Sequence, residues 1–400
     1  MTLFDQLPAE ILSLIVNRTD RRDLYSCALI NKKCNRATTP LFWKTVHVRS
    51  ESKARLFLRA LADASSSSPL GHYIRHIDLG DMMWSDITVA FLTQHVHDLK
   101  ALYIRNGEFM TDLGFCSYLP RIGTHLTTLH LEQCYVTYST ITAIDQHCRP
   151  LKTLALINCK PSSPPPAAIA FLPLMHAHVE QFTLDVSKTA AAHMDWMEAF
   201  VATLLAGLPW LTHLTVSGNM GFSNVLERIV TASALRWPRL THLSLGDDSE
   251  LGDAPLVAFL HAHPHLVDVR LCHLSRITDA TLDAISVVLP GITHLAVTHS
   301  HCLTAPRLRQ LIRACPLLAF VSIEACGLFW YDFPELFHDS RCHRRVDDDT
   351  MVRRCGPLLF MEQLGQESLH CIRHAPHPPI ALDDHTKSNN SSSSSSGHIG

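Results

Sequence analysis

Several features are missing from this 400-residue chain, and each absence narrows the reading. No apolar run reaches the roughly 18 residues needed to span a bilayer, which argues against a membrane protein. The opening "MTLFDQLPAE" lacks the basic region and apolar core of an export signal. The 13 cysteines are odd in number, scattered, and never spaced C-x-x-C. Without an export signal they read as reduced thiols of the cytosol or nucleus. There is no G-x-G-x-x-G, P-loop lysine motif, G-x-S-x-G or H-E-x-x-H, and no opposed pair of carboxylates. The reading is therefore non-enzymatic, with no cofactor.

Charge is distributed unevenly. Residues 1–60 carry eleven Lys and Arg against five Asp and Glu, a balance of +6, which leaves −9 for the remainder of a chain whose total is −3. A basic front end suits nucleic acid or an acidic protein. It lacks both the interleaved aromatics of a single-strand binder and any zinc-finger spacing, so an acidic protein is the favoured partner.

What the chain does have is an internal repeat. The pattern L-x-x-L-x-L, with Ile, Val or Phe allowed, begins at Ile74, Leu99, Leu126, Leu151, Val179, Leu211, Leu240, Leu266, Ile292 and Leu318. Successive starts lie 25, 27, 25, 28, 32, 29, 26, 26 and 26 residues apart. In the last five repeats a proline (Pro209, Pro238, Pro264, Pro290, Pro316) stands two residues before the first apolar position, where it ends the preceding helix. The ninth position holds Cys134, Cys159, Asn219 or Cys326, or a small polar residue such as Asp248 or Ser300. Such a side chain can satisfy backbone groups where the strand turns away.

Stretches such as "ITDATLDAISVVLP" (277–290) then set Leu282, Ile285 and Leu289 at helical spacing behind a threonine or aspartate suited to an N-cap. Each repeat reads as strand, turn and helix, and only stacking buries its apolar face. The expected fold is an α/β solenoid with a parallel concave sheet and convex helices over residues 74–326. "LSRITDATLDAI" (274–285) and "CPLLAFVSIEAC" (315–326) resemble the cysteine-containing leucine-rich repeat.

The front end raises a separate question. "LPAEILSLIV" (7–16) is too apolar to lie on the outside of one short helix, and its immediate neighbourhood is too small to cover it. It continues into "DRRDLYSCALINKKCNRATTPLFWKTV" (20–46), with Pro8 placed in a first helical turn and Asp20 positioned to cap a second helix. Leu7, Pro8, Glu10, Ile11, Leu12, Ile15, Asp23, Leu24, Cys27, Leu29, Asn31, Lys32, Pro40 and Trp43 resemble the F-box, a three-helix module; the family carries tryptophan where Cys34 stands.

The resemblance implies that a Skp-type adaptor, acidic in that family, covers these helices and links them to a cullin-RING ubiquitin ligase. On that reading Leu7, Pro8, Glu10, Ile11, Leu12, Ile15, Leu24, Cys27, Leu29, Cys34, Pro40 and Trp43 form the adaptor site. The chain would be a non-catalytic substrate receptor of SCF type, with an unidentified protein as its target. The alternative is a repeat scaffold or inhibitor with no role in ubiquitin transfer.

Strand alternation sends the residue before the second leucine to the concave face. His213, His242, Asp268, His294 and Phe320 should therefore stack in one line on successive repeats, with Arg270 beside Asp268. Three readings of this ladder remain open: a solvated polar surface, a substrate site, or a metal site of His and Asp ligands.

The expected organisation is an F-box (1–46), a helical joint and serine-rich turn (47–73), repeats (74–326), a C-terminal cap (327–375) and a disordered tail (376–400). The helix expected in the joint buries Ala54, Phe57, Leu58 and Leu61. The mixed-charge run "RCHRRVDDDTMVRR" (341–354) reads as a surface loop, and Cys342, His343, Cys355, Cys371 and His374 are residue types that zinc favours.

Overall fold

The structure, a computed structural model, describes residues 7–63, 70–80, 82–160, 178–186, 200–202, 204–219, 221–231, 237–336, 351–355 and 358–375. The serine-rich turn, the proline run after Lys160, Cys342, His343 and the tail from 376 lie outside them, as does the side chain of Cys355.

Three helices come first: α1 (Ala9–Asn17), α2 (Arg21–Ile30) and α3 (Lys32–Trp43). Pro8 is the N-cap of α1, and its carbonyl accepts the Leu12 N–H at 3.1 Å. Asp20 is the N-cap of α2 but makes no side-chain capping bond, unlike Asn31, whose Oδ1 accepts the Cys34 N–H at 2.7 Å at the start of α3. Leu12 and Val16, four residues apart, turn inward with Leu24, Cys34 and Thr38.

The repeats follow as strands β1 (Thr45–Val48), β2 (His76–Leu79), β3 (Ala101–Ile104), β4 (Thr128–Glu132), β5 (Thr153–Ile157), β6 (Gln181–Asp185), β7 (His213–Ser217), β8 (His242–Gly246), β9 (Asp268–Cys272), β10 (His294–Thr298) and β11 (Phe320–Ser322). They pair in parallel, each with the next, in chain order. Between them lie α4 (Glu51–Ala62), α5 (Asp86–His95), α6 (Asp112–Ile122), α7 (Tyr138–His147), α8 (Phe222–Thr231), α9 (Asp253–Ala262), α10 (Asp279–Val288) and α11 (Ala305–Ala314). The three framework positions are buried in every repeat from β2 to β11, as at Leu126, Leu129 and Leu131. One continuous core runs from Val48 to Ile372. The chain is a leucine-rich-repeat solenoid. Helices about 10 Å wide cannot stack at the roughly 4.8 Å spacing of strands, so the sheet curves with its helix-free face inside.

Two details explain the turn. In eight of the repeats the eighth residue, just past the strand, has positive φ: Asn106, Gln133, Asn158, Asp247, His273, His299 and Ala325 all have φ of 49–58°, and Gly218 has φ 115°. The ninth residue then satisfies the backbone. Cys159 Sγ donates to the Leu131 carbonyl at 3.3 Å, Cys326 Sγ to Val297 at 3.0 Å, and Ser300 Oγ to Leu274 at 3.1 Å. Burial pushes the Cys159 thiol up to about 12 and Cys326 to about 11, so both remain protonated donors at neutral pH. The Asp248 carboxylate accepts the N–H groups of Phe222 (2.7 Å), Glu250 (2.8 Å) and Leu251 (3.3 Å).

The structure departs from the expected organisation at both ends. The parallel sheet begins at Thr45, one strand earlier than the first repeat read from the sequence. Trp43, Val46 and Val48 occupy the three framework positions, with tryptophan at the first. The Trp43 ring stacks on Phe57 of α4, with centroids 6.1 Å apart. Ala54, Phe57 and Leu61 of α4 are buried and Leu58 is half-buried.

At the other end, the region read as a surface loop contributes a strand. β12 (Met351–Cys355) pairs antiparallel with β13 (Leu358–Leu364), and β13 pairs antiparallel with β11. This hairpin covers the last repeat's edge. The final helix, α12 (Gln366–His374), lies on α11. The two exchange arginines: Arg373 donates to the Ile312, Cys315 and Leu318 carbonyls, and Arg313 to those of Ile372 and Ala375. Phe333 is fully buried, and Trp330 and Leu336 pack against the core, so "GLFWYDFPELF" closes the end of the solenoid over its described length.

Candidate functional site

Two surfaces stand out. The first is the helical unit. On α1, Ile11, Leu14 and Ile15, spaced three and four apart, form the face opposite Leu12 and Val16 and are exposed; Leu14 is 61% exposed. On α2, Tyr25, Leu29 and Ile30 are exposed, Leu29 at 67%. The unit thus presents apolar side chains on both helices, and it exposes Arg18, Arg22, Lys32 and Arg36 as well as Glu10, Asp20 and Asp23.

Of the twelve residues the resemblance assigns to adaptor docking, Pro8, Glu10, Ile11, Ile15 and Leu29 are exposed, and Leu7, Cys27 and Pro40 are half-buried. Leu12, Leu24 and Cys34 are buried inside the unit, and Trp43 is spent on Phe57. The first three hold the unit together, and Trp43 ties it to α4. Leu14, Tyr25 and Ile30 are exposed but absent from the motif, because a motif marks interior and surface positions alike.

The second surface is the helix-free face of the sheet. Strand register sets His213, His242, Asp268, His294 and Phe320 in one line. The His213 and His242 rings stack with centroids 3.9 Å apart and planes 13° from parallel, while His294 and Phe320 lie 6.3 Å apart and tilted. Arg270 embraces Asp268 through two bonds, Nε to Oδ1 at 3.1 Å and Nη2 to Oδ2 at 2.9 Å. Asp268 is buried under that guanidinium.

Each of the three histidines follows a threonine, and each threonine Oγ1 lies 2.8 Å from the neighbouring Nδ1: Thr212 with His213, Thr241 with His242, Thr293 with His294. The hydroxyls also reach the preceding repeat's carbonyls at Glu180, Thr212 and Val267. The rings are therefore anchored through Nδ1, and Nε2 is the nitrogen left for a ligand. Burial, and then the neighbouring His242, lower the His213 pKa, against the pull of Asp268 and Glu180.

A further cluster on the same face escaped the sequence reading. His47, Asp78, Tyr103 and His130 occupy the position between the second and third framework residues on β1 to β4. His47 Nδ1 is 3.2 Å from Asp78 Oδ2, and Arg105 Nε is 3.3 Å from Asp78 Oδ1. The Tyr103 and His130 rings are 5.7 Å apart. The signal was present in the alternation, two residues further along each strand, at the position Arg270 holds on β9. The turn edge holds another stack, His273 on His299 at 3.8 Å, at two left-handed positions. Among the described residues no group of three or more His, Cys, Asp or Glu side chains is placed to hold a metal ion, because a ladder spreads its members along a line. No helix among them is long and apolar enough to cross a membrane.

No family model and no curated protein matches the chain. Among solved structures it is similar to a chain in the crystal structure of the yeast Rad7 and Elc1 complex, at 16% identity and a TM-score of 0.44, over 80% of this chain and 69% of that one. It is also similar to the leucine-rich repeat-containing protein LegL7 from Legionella pneumophila, at 10% identity and a TM-score of 0.42, over 72% of this chain and 88% of that one.

Proposed function

We propose that the chain is a substrate receptor of an SCF-type ubiquitin ligase. The helical unit docks a Skp-type adaptor, and through it a cullin-RING ligase, while the helix-free face of the repeats holds a protein target. One observation carries this reading: Ile11, Leu14, Ile15, Leu29 and Ile30 remain exposed although a large solenoid adjoins them. Apolar patches of this kind on a soluble unit mark partner surfaces. The excess of Lys and Arg over Asp and Glu in residues 1–60 favours an acidic partner. The chain itself contributes no chemistry: a target held on the repeats is raised in effective concentration beside the transfer machinery.

The test is co-purification of the full chain with a Skp-type adaptor and a cullin. Stoichiometric capture of both supports the receptor. Failure from well-folded protein favours the second reading, a binding scaffold or inhibitor with no ubiquitin role. The small, buried Cys34, at the position where the F-box family has tryptophan, supports that second reading.

A further inference from the structure

A cavity of about 450 Å³ opens where the helical unit meets the first repeat. Its volume falls within the roughly 300–1,000 Å³ typical of ligand sites. Its apolar wall is made by Phe42, Trp43, Leu56 and Phe57, drawn from α3 and α4. Trp43 and Phe57 form a stacked aromatic floor, and Phe42 and Leu56 remain 43% and 67% exposed at the mouth. Neither exposed residue belongs to the motif that marks the helical unit, and the core does not use them.

The charged residues lining this cavity are all of one sign. They are Arg21 and Lys53, and no carboxylate lines it. The Arg21 guanidinium donates to the Thr45 carbonyl, which fixes its position but leaves its charge unneutralised. His47 is engaged by Asp78, which lies behind it on the sheet face. Among the described residues neither Arg21 nor Lys53 is in an ion pair. An apolar well with an uncompensated cationic rim selects an occupant that is apolar at one point and anionic beside it.

We infer that this cavity is a peptide site: it receives one large apolar side chain on the Trp43–Phe57 floor, with a carboxylate next to it meeting Lys53 and Arg21. A peptide suits the open mouth, since the segments flanking the anchor can run out over the surface. None of the exposed residues Ile11, Ile15 and Leu29 lines the cavity, although Trp43 belongs to both sets of residues.

The experiment uses the full chain labelled with 5-fluorotryptophan, the Trp43 fluorine resonance being assigned with Trp43→Phe. The probe is the acetylated, amidated peptide Gly-Asp-Phe-Asp-Gly. The expected result is a saturable shift of the Trp43 signal with a Kd between about 0.1 and 1 mM, as befits a single anchor. Replacing the anchor with alanine abolishes the shift. Lys53→Glu and Arg21→Glu each weaken it by roughly fivefold. No shift at about 5 mM peptide, several times that expected Kd, overturns the inference. So does an equal shift with Gly-Lys-Phe-Lys-Gly, or an unchanged affinity in Lys53→Glu. A shift with octanoate but not with the peptide overturns it too, by pointing to a lipid anion.

Discussion

Asp253, the first residue of α9, reaches across one repeat to Thr278. Its Oδ1 accepts the Thr278 backbone N–H at 2.9 Å and its Oδ2 accepts the hydroxyl at 2.7 Å. The donated hydroxyl proton leaves the Thr278 oxygen free to accept the Ala280 N–H at 3.2 Å, capping α10. The same staple joins Asp86 to Thr111, Asp112 to Thr137 and Asp279 to Thr304. Thr111 and Thr137 likewise cap their own helices, accepting the Gly114 and Ser139 N–H groups, whereas Thr304 makes no side-chain capping bond.

Asp253→Ala therefore removes a charge-assisted acceptor and loosens the next cap. We expect a loss of about 1–2 kcal/mol in denaturant unfolding, against little for the exposed-rim Asp283→Ala. Thr278→Ala should cost about 1 kcal/mol, and the double variant less than the sum, because both act on one network. Additive losses would show that the staple does not orient the cap.

A second prediction concerns the C-terminal closure. Arg309 Nε meets Glu335 Oε1 at 2.5 Å, with both side chains nearly enclosed, and its guanidinium lies 5.3 Å from the Phe333 ring centroid. Removing one member leaves the other charged and buried. Glu335→Ala should destabilise by about 3 kcal/mol, whereas the pair Arg309→Met with Glu335→Leu should recover most of that loss. A single variant within about 0.5 kcal/mol of the parent would mean that water enters this end of the solenoid.

The repeats were legible because burial enforces their period: a one-residue slip would turn Leu129 and Leu131 outward. β1 was hidden because Trp43 fills a framework position usually held by leucine and is at once the last residue of α3. β12 was hidden because its pairing partner is β13, a non-local relation that a mixed-charge sequence does not announce. The Asp–Thr staples are spaced 25 residues apart in all four cases, so they could be read once the repeat length was known. The N-terminal motif was harder to use. It names Leu12 and Ile15 alike, and only the packing separates the inward residue from the outward one.

The stacked pair on the open face sets the third prediction. His213 titrates below the ordinary imidazole value of about 6.5 because burial and His242 disfavour its charged form. His242→Ala should raise the His213 pKa, and Asp268→Asn should lower it further by removing a favourable charge. Proton NMR titration of the ring signals reads both. Since the folded value is the depressed one, the unfolded chain binds the proton first. The contribution of this group to stability is intact above about 6.5 and falls as pH drops from there towards the folded value. A His213 pKa at or above the ordinary value would show that the rings do not stack in solution.

The last prediction separates surface from interior on α1. Ile15 and Leu12 are three residues apart, and both belong to the same motif. Ile15 is 46% exposed and Leu12 only 2%. Ile15→Asp places a charge in water and should leave unfolding within about 0.5 kcal/mol of the parent. Leu12→Asp buries an unpaired carboxylate and should unfold the helical unit, at a cost above about 3 kcal/mol. If the unit docks an adaptor, Ile15→Asp and Leu29→Asp abolish capture while the chain stays folded, and a distant open-face variant such as His242→Ala does not. Loss of capture in Leu12→Asp alone would carry no information about the surface, since the fold is lost with it. Undiminished capture by both exposed variants would place docking elsewhere and leave these apolar residues to another partner.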